Sequence, residues 1–317
     1  MPTMTTKLLK FLVLGLVFLP LFFLAACNKE NQPGATDEKL PAKTVSVTIG
    51  GKDFTEQNIL LKLASIFLRE NGYEVKEVGN MRSRVLRSAI ETGKIDLCWE
   101  YTGTALMVFH GQPAERDSRL AYEKIKRMDR KKGLIWLDKS GVSSPYVILM
   151  RKDRAEAFGI HTISELAAVV RRDQQKITFA TNPEFFERKD GLHALQERYG
   201  FEFSPKNVVK LDLGLIYSLL KDDQVDVGVG IGTDGRILAS DLLVLEDDRH
   251  FFPSYDAVPV VRRELLKKAP EVADLMNRIS GKLDASTMRY LNYLVDVRHE
   301  DVVEVARKWL MSEKLIE

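Results

Sequence analysis

The run Trp99-Glu100-Tyr101-Thr102-Gly103-Thr104 closes the short, mostly apolar stretch Ile95 to Cys98 with two aromatic rings, a carboxylate, two hydroxyls and a glycine. Rings beside small polar groups at a strand end suit the grip of a small organic cation. A quaternary ammonium has no proton to donate, so π-faces and the exclusion of water must hold it, each ring contributing about 0.5–2 kcal/mol. Tyr146 and Tyr217 also stand at or near the ends of predicted elements and, with Tyr101, would face one cleft. Taken singly, each tyrosine is better read as core packing; the set is what points to a cation. Trp99 lies on the opposite register from Glu100 and reads, with Glu100 and Cys98, as support. A zwitterionic ligand would also need donors for its carboxylate. Arg188, in the segment Pro183 to Gly191, offers a bidentate fork; Lys52 offers an ammonium and Thr104 a hydroxyl.

Catalytic signals are poor. His110, His161, His193, His250 and His299 are isolated, and neither HExxH spacing, a GxSxG elbow nor a Walker A loop occurs. Gly230-Ile231-Gly232-Thr233-Asp234-Gly235 fits the GxGxxG dinucleotide pattern. Asp234, however, would put a negative charge where the pyrophosphate must sit, and only about six residues run from Gly235 to Asp241, too few for the helix that should follow. We therefore expect no enzyme, no cofactor and no metal.

The first residues read as a targeting segment. Lys7 and Lys10 precede an apolar run from Phe11 to Phe23, and Leu24-Ala25-Ala26-Cys27 resembles a bacterial lipobox. The run, broken by Pro20, is short for a spanning helix of ~20 residues. The expectation is a lipoprotein signal peptide over residues 1–26, lipidation of Cys27, and a flexible tether over 27–44. Removing 1–26 takes away two lysines, leaving 45 Lys+Arg against 45 Asp+Glu, a balance that gives no basis for a nucleic-acid partner. Cys98 is then the remaining thiol, so no intrachain disulfide forms; in an apolar strand it reads as inert core.

The elements that must position these residues alternate. Val45 to Ile49 is a strand, Glu56 to Asn71 a helix with an apolar stripe, Tyr73 to Val78 a strand, Arg84 to Glu91 a helix and Ile95 to Trp99 a strand. A second series has strands at Leu134–Leu137, Tyr146–Met150, Ile177–Ala180, Val225–Val229 and Leu243–Leu245, with helices at Ile163–Arg172, Asp190–Tyr199 and Leu213–Lys221. Ala257 to Val261 reads as an edge strand because of Pro259. The tail is helical over Ala269–Gly281, Ser286–Asp296 and Glu300–Lys308. This is an α/β protein with mainly parallel sheets, in two lobes around a cleft. The expected division is 45–145 plus 253–317 for lobe 1 and 146–252 for lobe 2, with the crossings near Tyr146 and Ala257.

Four segments in order carry a resemblance: Ile49 to Gln57 (IGGKDFTEQ), Trp99 to Thr104 (WEYTGT), Pro183-Glu184-Phe185 with Arg188 to Gly191, and Thr233 to Ile237 (TDGRI). From about Val45 to the C-terminus the chain resembles the glycine betaine/choline/carnitine substrate-binding proteins of osmoprotectant ABC importers. The resemblance implies a type II periplasmic-binding-protein fold, two α/β lobes joined by a two-strand hinge that close on the ligand. It implies a quaternary amine as ligand, ABC permease and ATPase subunits as partners, and a lipid-anchored place in the cell envelope facing the periplasm or exterior. By motif it makes Tyr101 and Thr104 ligand contacts, puts Lys52 and Gln57 in the first-strand loop, sets Tyr146 near the hinge and Tyr217 at the second-lobe helix, and gives Arg188 to a carboxylate clamp. Where the family often has an aromatic residue before Thr-Asp-Gly, this chain has Ile231-Gly232. Another betaine-like solute such as ergothioneine, or an enzyme on the same scaffold, are the alternative readings.

Overall fold

The computed structural model describes residues 45–317 apart from Gln175. The expected signal peptide (1–26), Cys27 and the tether (27–44) lie outside the described residues. Ten strands form two five-stranded sheets. The first holds β1 (Ser46–Lys52), β2 (Glu74–Met81), β3 (Leu97–Tyr101), β4 (Leu134–Trp136) and β10 (Ala257–Arg262), in the order β2-β1-β3-β10-β4. The second holds β5 (Tyr146–Arg151), β6 (Phe179–Thr181), β7 (Val208–Lys210), β8 (Val227–Ile231) and β9 (Leu242–Val244), in the order β7-β6-β8-β5-β9. In each sheet one strand is antiparallel to both its neighbours: β10 against β3 and β4, β5 against β8 and β9. The remaining pairs, β1 with β2 and β3, and β6 with β7 and β8, are parallel. The reversed strand is in both cases the first one after the chain changes lobe. Parallel order follows from βα units that stay in one lobe, and reversal from a chain that arrives from the other.

The two crossings run side by side. Ser144 N–H donates to the Tyr255 carbonyl at 3.0 Å, Ala257 N–H to the Val142 carbonyl at 2.9 Å, and Ser143 bridges Asp256 in antiparallel register. This short ribbon joins the sheets and delivers Tyr146 to the start of β5 and Tyr255 to the approach of β10.

Pro259 does not mark an edge. Strand β10 sits between β3 and β4, with Pro259 opposite Trp99. The missing N–H is tolerated because β4 ends at this point. Leu137 N–H donates to the Pro259 carbonyl at 3.0 Å, and the Leu137 carbonyl, which a residue 259 N–H would have met, accepts instead from the Tyr122 hydroxyl at 2.6 Å. The helix that carries Tyr122, Ser118–Arg130, has no counterpart in the sequence-based reading.

The helix Thr55–Glu70 follows β1 and buries Ile59, Leu60, Leu63, Ala64, Ile66 and Phe67. That stripe packs against the sheet and against the tail helices Glu271–Ser280, Ala285–Asp296 and Val302–Ser312. Its first turn therefore stands fixed at the end of β1, where the cleft opens.

Candidate functional site

Strand β3 is buried along its whole length. Leu97, Trp99 and Tyr101 face the main core, while Cys98 faces a second cluster with Leu86, Ile90 and Trp136. Burial pushes the Cys98 thiol well up, as befits an inert core cysteine. The alternation delivers Tyr101 to the strand's end, where a cavity of about 80 Å³ lies between the sheets.

Four rings line the cavity: Phe54, Tyr101, Tyr146 and Tyr255. Phe54 and Tyr101 stack with centroids 6.2 Å apart, and Tyr146 meets Tyr255 edge-on at 6.2 Å. Phe185 backs Tyr146 at 4.9 Å. Tyr255 can approach because Gly103 has no side chain: a Cβ there would fall 2.7 Å from the Ser254 carbonyl oxygen and 3.0 Å from the Tyr255 ring.

Glu56 lies under this cage, only 2 % exposed. Its Oε1 accepts from the Tyr101 and Ser144 hydroxyls, both at 2.7 Å, and its Oε2 from the Thr233 hydroxyl at 2.5 Å. Burial raises its carboxyl above the ordinary range, against the pull of those hydroxyls. Gln57 donates to the Tyr101 hydroxyl at 3.0 Å and to the Trp99 carbonyl at 3.3 Å, fixing the ring from behind.

Two of the three cations that line the cavity, Lys52 and Arg188, are closely engaged. Lys52 Nζ reaches Glu100 at 2.5 Å and lies 4.9 Å from the Tyr101 ring centre. Arg188, 7 % exposed, holds both oxygens of Asp190, stands 3.5 Å from Glu184, and donates to Thr104 at 3.5 Å and to the Tyr255 hydroxyl at 3.4 Å. Its loop is tight at Gly191, where a Cβ would fall 1.8 Å from the Phe185 carbonyl oxygen. Glu184 reaches across the cleft to Ser83, accepting from its hydroxyl at 2.7 Å and its N–H at 3.4 Å. Burial pulls the Glu184 carboxyl up, but the Lys52 charge, Ser83 and Arg188 together bring it below the ordinary value.

Of the residues singled out from sequence, Lys52, Tyr101, Thr104, Tyr146 and Arg188 line one cavity. Gln57 stands behind Tyr101. Tyr217 is not among the lining residues: its hydroxyl accepts from Ile231 N–H at 2.9 Å on the far side of β8, and Arg236 covers its ring at 4.4 Å. Ile231 itself lines the cavity, an aliphatic side chain where a ring was noted as missing. Sequence reasoning passed over Phe54, Ser144, Glu184 and Tyr255. Phe54 and Glu184 lie inside the IGGKDFTEQ segment and the Pro183–Gly191 segment; Tyr255 has no local signal, being two residues before a strand and brought in by the crossing ribbon. Among the described residues, no group of three or more His, Cys, Asp or Glu is arranged to hold a metal ion, and no helix is long and apolar enough to cross a membrane.

Two sheets joined by a two-stranded crossing, with an aromatic cavity between them, define a type II solute-binding fold. The match to a known family is direct: over residues 45–312 the chain belongs to the substrate binding domains of ABC-type glycine betaine transport systems, a family of transporter binding components rather than enzymes. It is 37% identical over 281 residues to a glycine-betaine-binding protein of Pseudomonas aeruginosa, covering 87% of this chain and 90% of that one. It is 31% identical over 300 residues to the carnitine transport binding protein OpuCC of Listeria monocytogenes, covering 93% of each. A crystal structure described as a glycine betaine/carnitine/choline ABC transporter superposes with a TM-score of 0.69 at 27% identity, over 86% of this chain and 100% of that one.

Proposed function

We propose that this binding component captures a quaternary-ammonium osmoprotectant of the glycine betaine, choline and carnitine kind and delivers it to an ABC permease and its ATPase. The observation that carries the reading is the convergence of Phe54, Tyr101, Tyr146 and Tyr255 on one cavity lined from both lobes. Tyr101, Tyr146 and Tyr255 meet the cationic head, with Phe54 closing the cage, and the Thr104 and Ser144 hydroxyls meet the polar end. The lobes divide as 45–145 plus 253–317 and 146–252, and pivot on the ribbon at 142–144 and 255–257. Names borne by the relatives support the ligand class, and the lipobox at Leu24 to Cys27 supports an extracytoplasmic chain anchored through lipid on Cys27.

Calorimetry with glycine betaine, choline, carnitine and ergothioneine tests the ligand class. Micromolar or tighter binding of at least one is expected, with a loss of about 2- to 30-fold in Tyr101→Ala, the worth of one ring. Silence with all four, in a folded protein, would refute the assignment. For the anchor, Cys27→Ser should abolish incorporation of labelled fatty acid; retained labelling would place any lipid elsewhere.

A further inference from the structure

Resting on the reading of Cys27 as a lipid anchor, we infer that the end of lobe 1 away from the cleft is a docking surface for anionic phospholipid headgroups, formed by Arg127, Arg130, Lys131 and Arg263. Beside the edge strand β4, Arg127, Arg130 and Arg263 line a groove of about 780 Å³ in which Glu123 is the one lining carboxylate. Arg263 donates to the Arg130 carbonyl, which brings two guanidinium groups together at the end of the helix Ser118–Arg130. Around them the cations are paired: Lys132 with Glu91 at 2.9 Å, and Arg262 with Glu264 at 3.4 Å and Asp96 at 3.7 Å. Arg127, Arg130, Lys131 and Arg263 have no carboxylate of the described residues within ion-pair distance, and the first three are exposed. A helix dipole favours a cation or two at its C-terminus. Four gathered without a counter-ion repel one another, and an outside anion relieves that repulsion.

The fold puts this cluster where the anchor would hold it against a membrane. Arg262 N–H donates to the Asp96 carbonyl at 2.9 Å, Asp96 N–H to the Thr48 carbonyl at 2.7 Å, and Arg262 stands opposite Leu134. This row crosses the first sheet from β1 to β4, and Ser46, where β1 begins, lies two residues below it. The chain therefore enters lobe 1 at the same end as the basic groove, three strands or about 14 Å away. Residues 27–44 span at most about 60 Å even fully extended, so a lipid on Cys27 keeps that end within reach of the headgroups. Guanidinium forks match phosphate esters, and a basic cluster close to an acyl anchor supplies the second signal that firm membrane attachment needs. Lys52 and Tyr101 sit at the other end of β1 and β3, about 20 Å along the strands, so a lobe resting on this surface leaves the cleft in solvent.

The test labels the full chain at Thr92→Cys, which lies between Glu91, bound to Lys132, and Gly93, where a Cβ would fall 2.7 Å from Arg262. Cys98 is buried and Cys27 carries the lipid, so wild type should take up no label. A second preparation is labelled at the exposed Glu202→Cys in the second lobe. Each is isolated from membranes, reconstituted in vesicles of phosphatidylcholine alone or mixed with phosphatidylglycerol, and read by energy transfer to a headgroup acceptor. Transfer from Thr92→Cys should rise at least ~2-fold with phosphatidylglycerol and lose that rise in high salt. It should lose it also in the combined Arg127→Gln, Arg130→Gln and Lys131→Gln variant, with ligand binding intact; Lys131→Gln alone should give a partial loss if the triple variant does not fold. The Glu202→Cys label should not respond. Transfer that ignores phosphatidylglycerol, or rises equally at both labels, overturns the inference and leaves the anchor standing. So does a rise confined to native membranes, which would point to an acidic protein instead. Protein that floats with phosphatidylglycerol vesicles only would uphold the surface and overturn the anchor; protein that floats with neither overturns both.

Discussion

At the scale of single residues, Glu56 ties three segments together: hydroxyls from β3, the crossing ribbon and the segment after β8 all donate to it. Its raised carboxyl gives stability a sign. A proton is held more tightly by the folded chain than by the unfolded one, so the contribution is fully present below the ordinary value of 4.5 and is lost as pH rises from there through the raised value. Glu56→Gln removes this titration. The stability of wild type relative to Glu56→Gln, measured by denaturant unfolding, should therefore fall as pH rises above 4.5; parallel curves would sink the argument. Other carboxylates with lowered values, Glu77, Glu91 and Glu184, act in the opposite direction as pH falls and cancel in the comparison. Tyr101→Phe keeps the ring but takes a donor from buried Glu56, so it should cost about 1–3 kcal/mol of stability while leaving ligand affinity far less changed than Tyr101→Ala. Tyr101 was readable because its motif is contiguous. Tyr255 was not, because its role depends on a contact between segments more than a hundred residues apart.

At the scale of elements, two features explain what sequence patterns concealed. The helix Ser118–Arg130 buries Ala121, Tyr122, Ile125 and Asp129, so its inward stripe contains an alanine, a phenol and a carboxylate and reads as polar. Asp129, fully buried, accepts from Arg87 through both oxygens at 2.6 Å and from the Trp136 indole at 2.8 Å, and lies 2.7 Å from His110. Asp129→Ala strands the buried Arg87 charge and should destabilise the protein by about 3–5 kcal/mol in denaturant unfolding. A loss below 1 kcal/mol would mean that the charge finds water or another partner. Pro259 misled the strand reading for a related reason, since a proline is admitted to an interior strand wherever its neighbour stops. Tyr122→Phe should cost about 1–3 kcal/mol by orphaning the buried Leu137 carbonyl. In a Pro259→Val background, with an N–H restored opposite Leu137, that cost should shrink; equal costs in both backgrounds would break the explanation.

At the scale of the whole molecule, the lobes are held together at the cleft by Ser83 with Glu184, Glu56 with Thr233 and Arg188 with Thr104. A ligand that binds the closed form better than the open one shifts the population toward it. Small-angle scattering should therefore show a smaller radius of gyration on saturation with the best ligand of the calorimetric panel; an unchanged radius would leave hinge closure without support. The two-lobe α/β plan was legible because strand and helix periods alternate from Val45 to Trp99 and again from Tyr146 to Val229. Its pairing order was not, because register between distant strands leaves no local mark. The place of β10 also has a consequence for how the chain comes into being. An interior strand of the first sheet lies in sequence beyond every strand of the second. While the chain is being made, β4 has no neighbour to pair with until residues 257–262 emerge. The second sheet, complete by Val244, can assemble first, so the N-terminal half of the cleft is finished last.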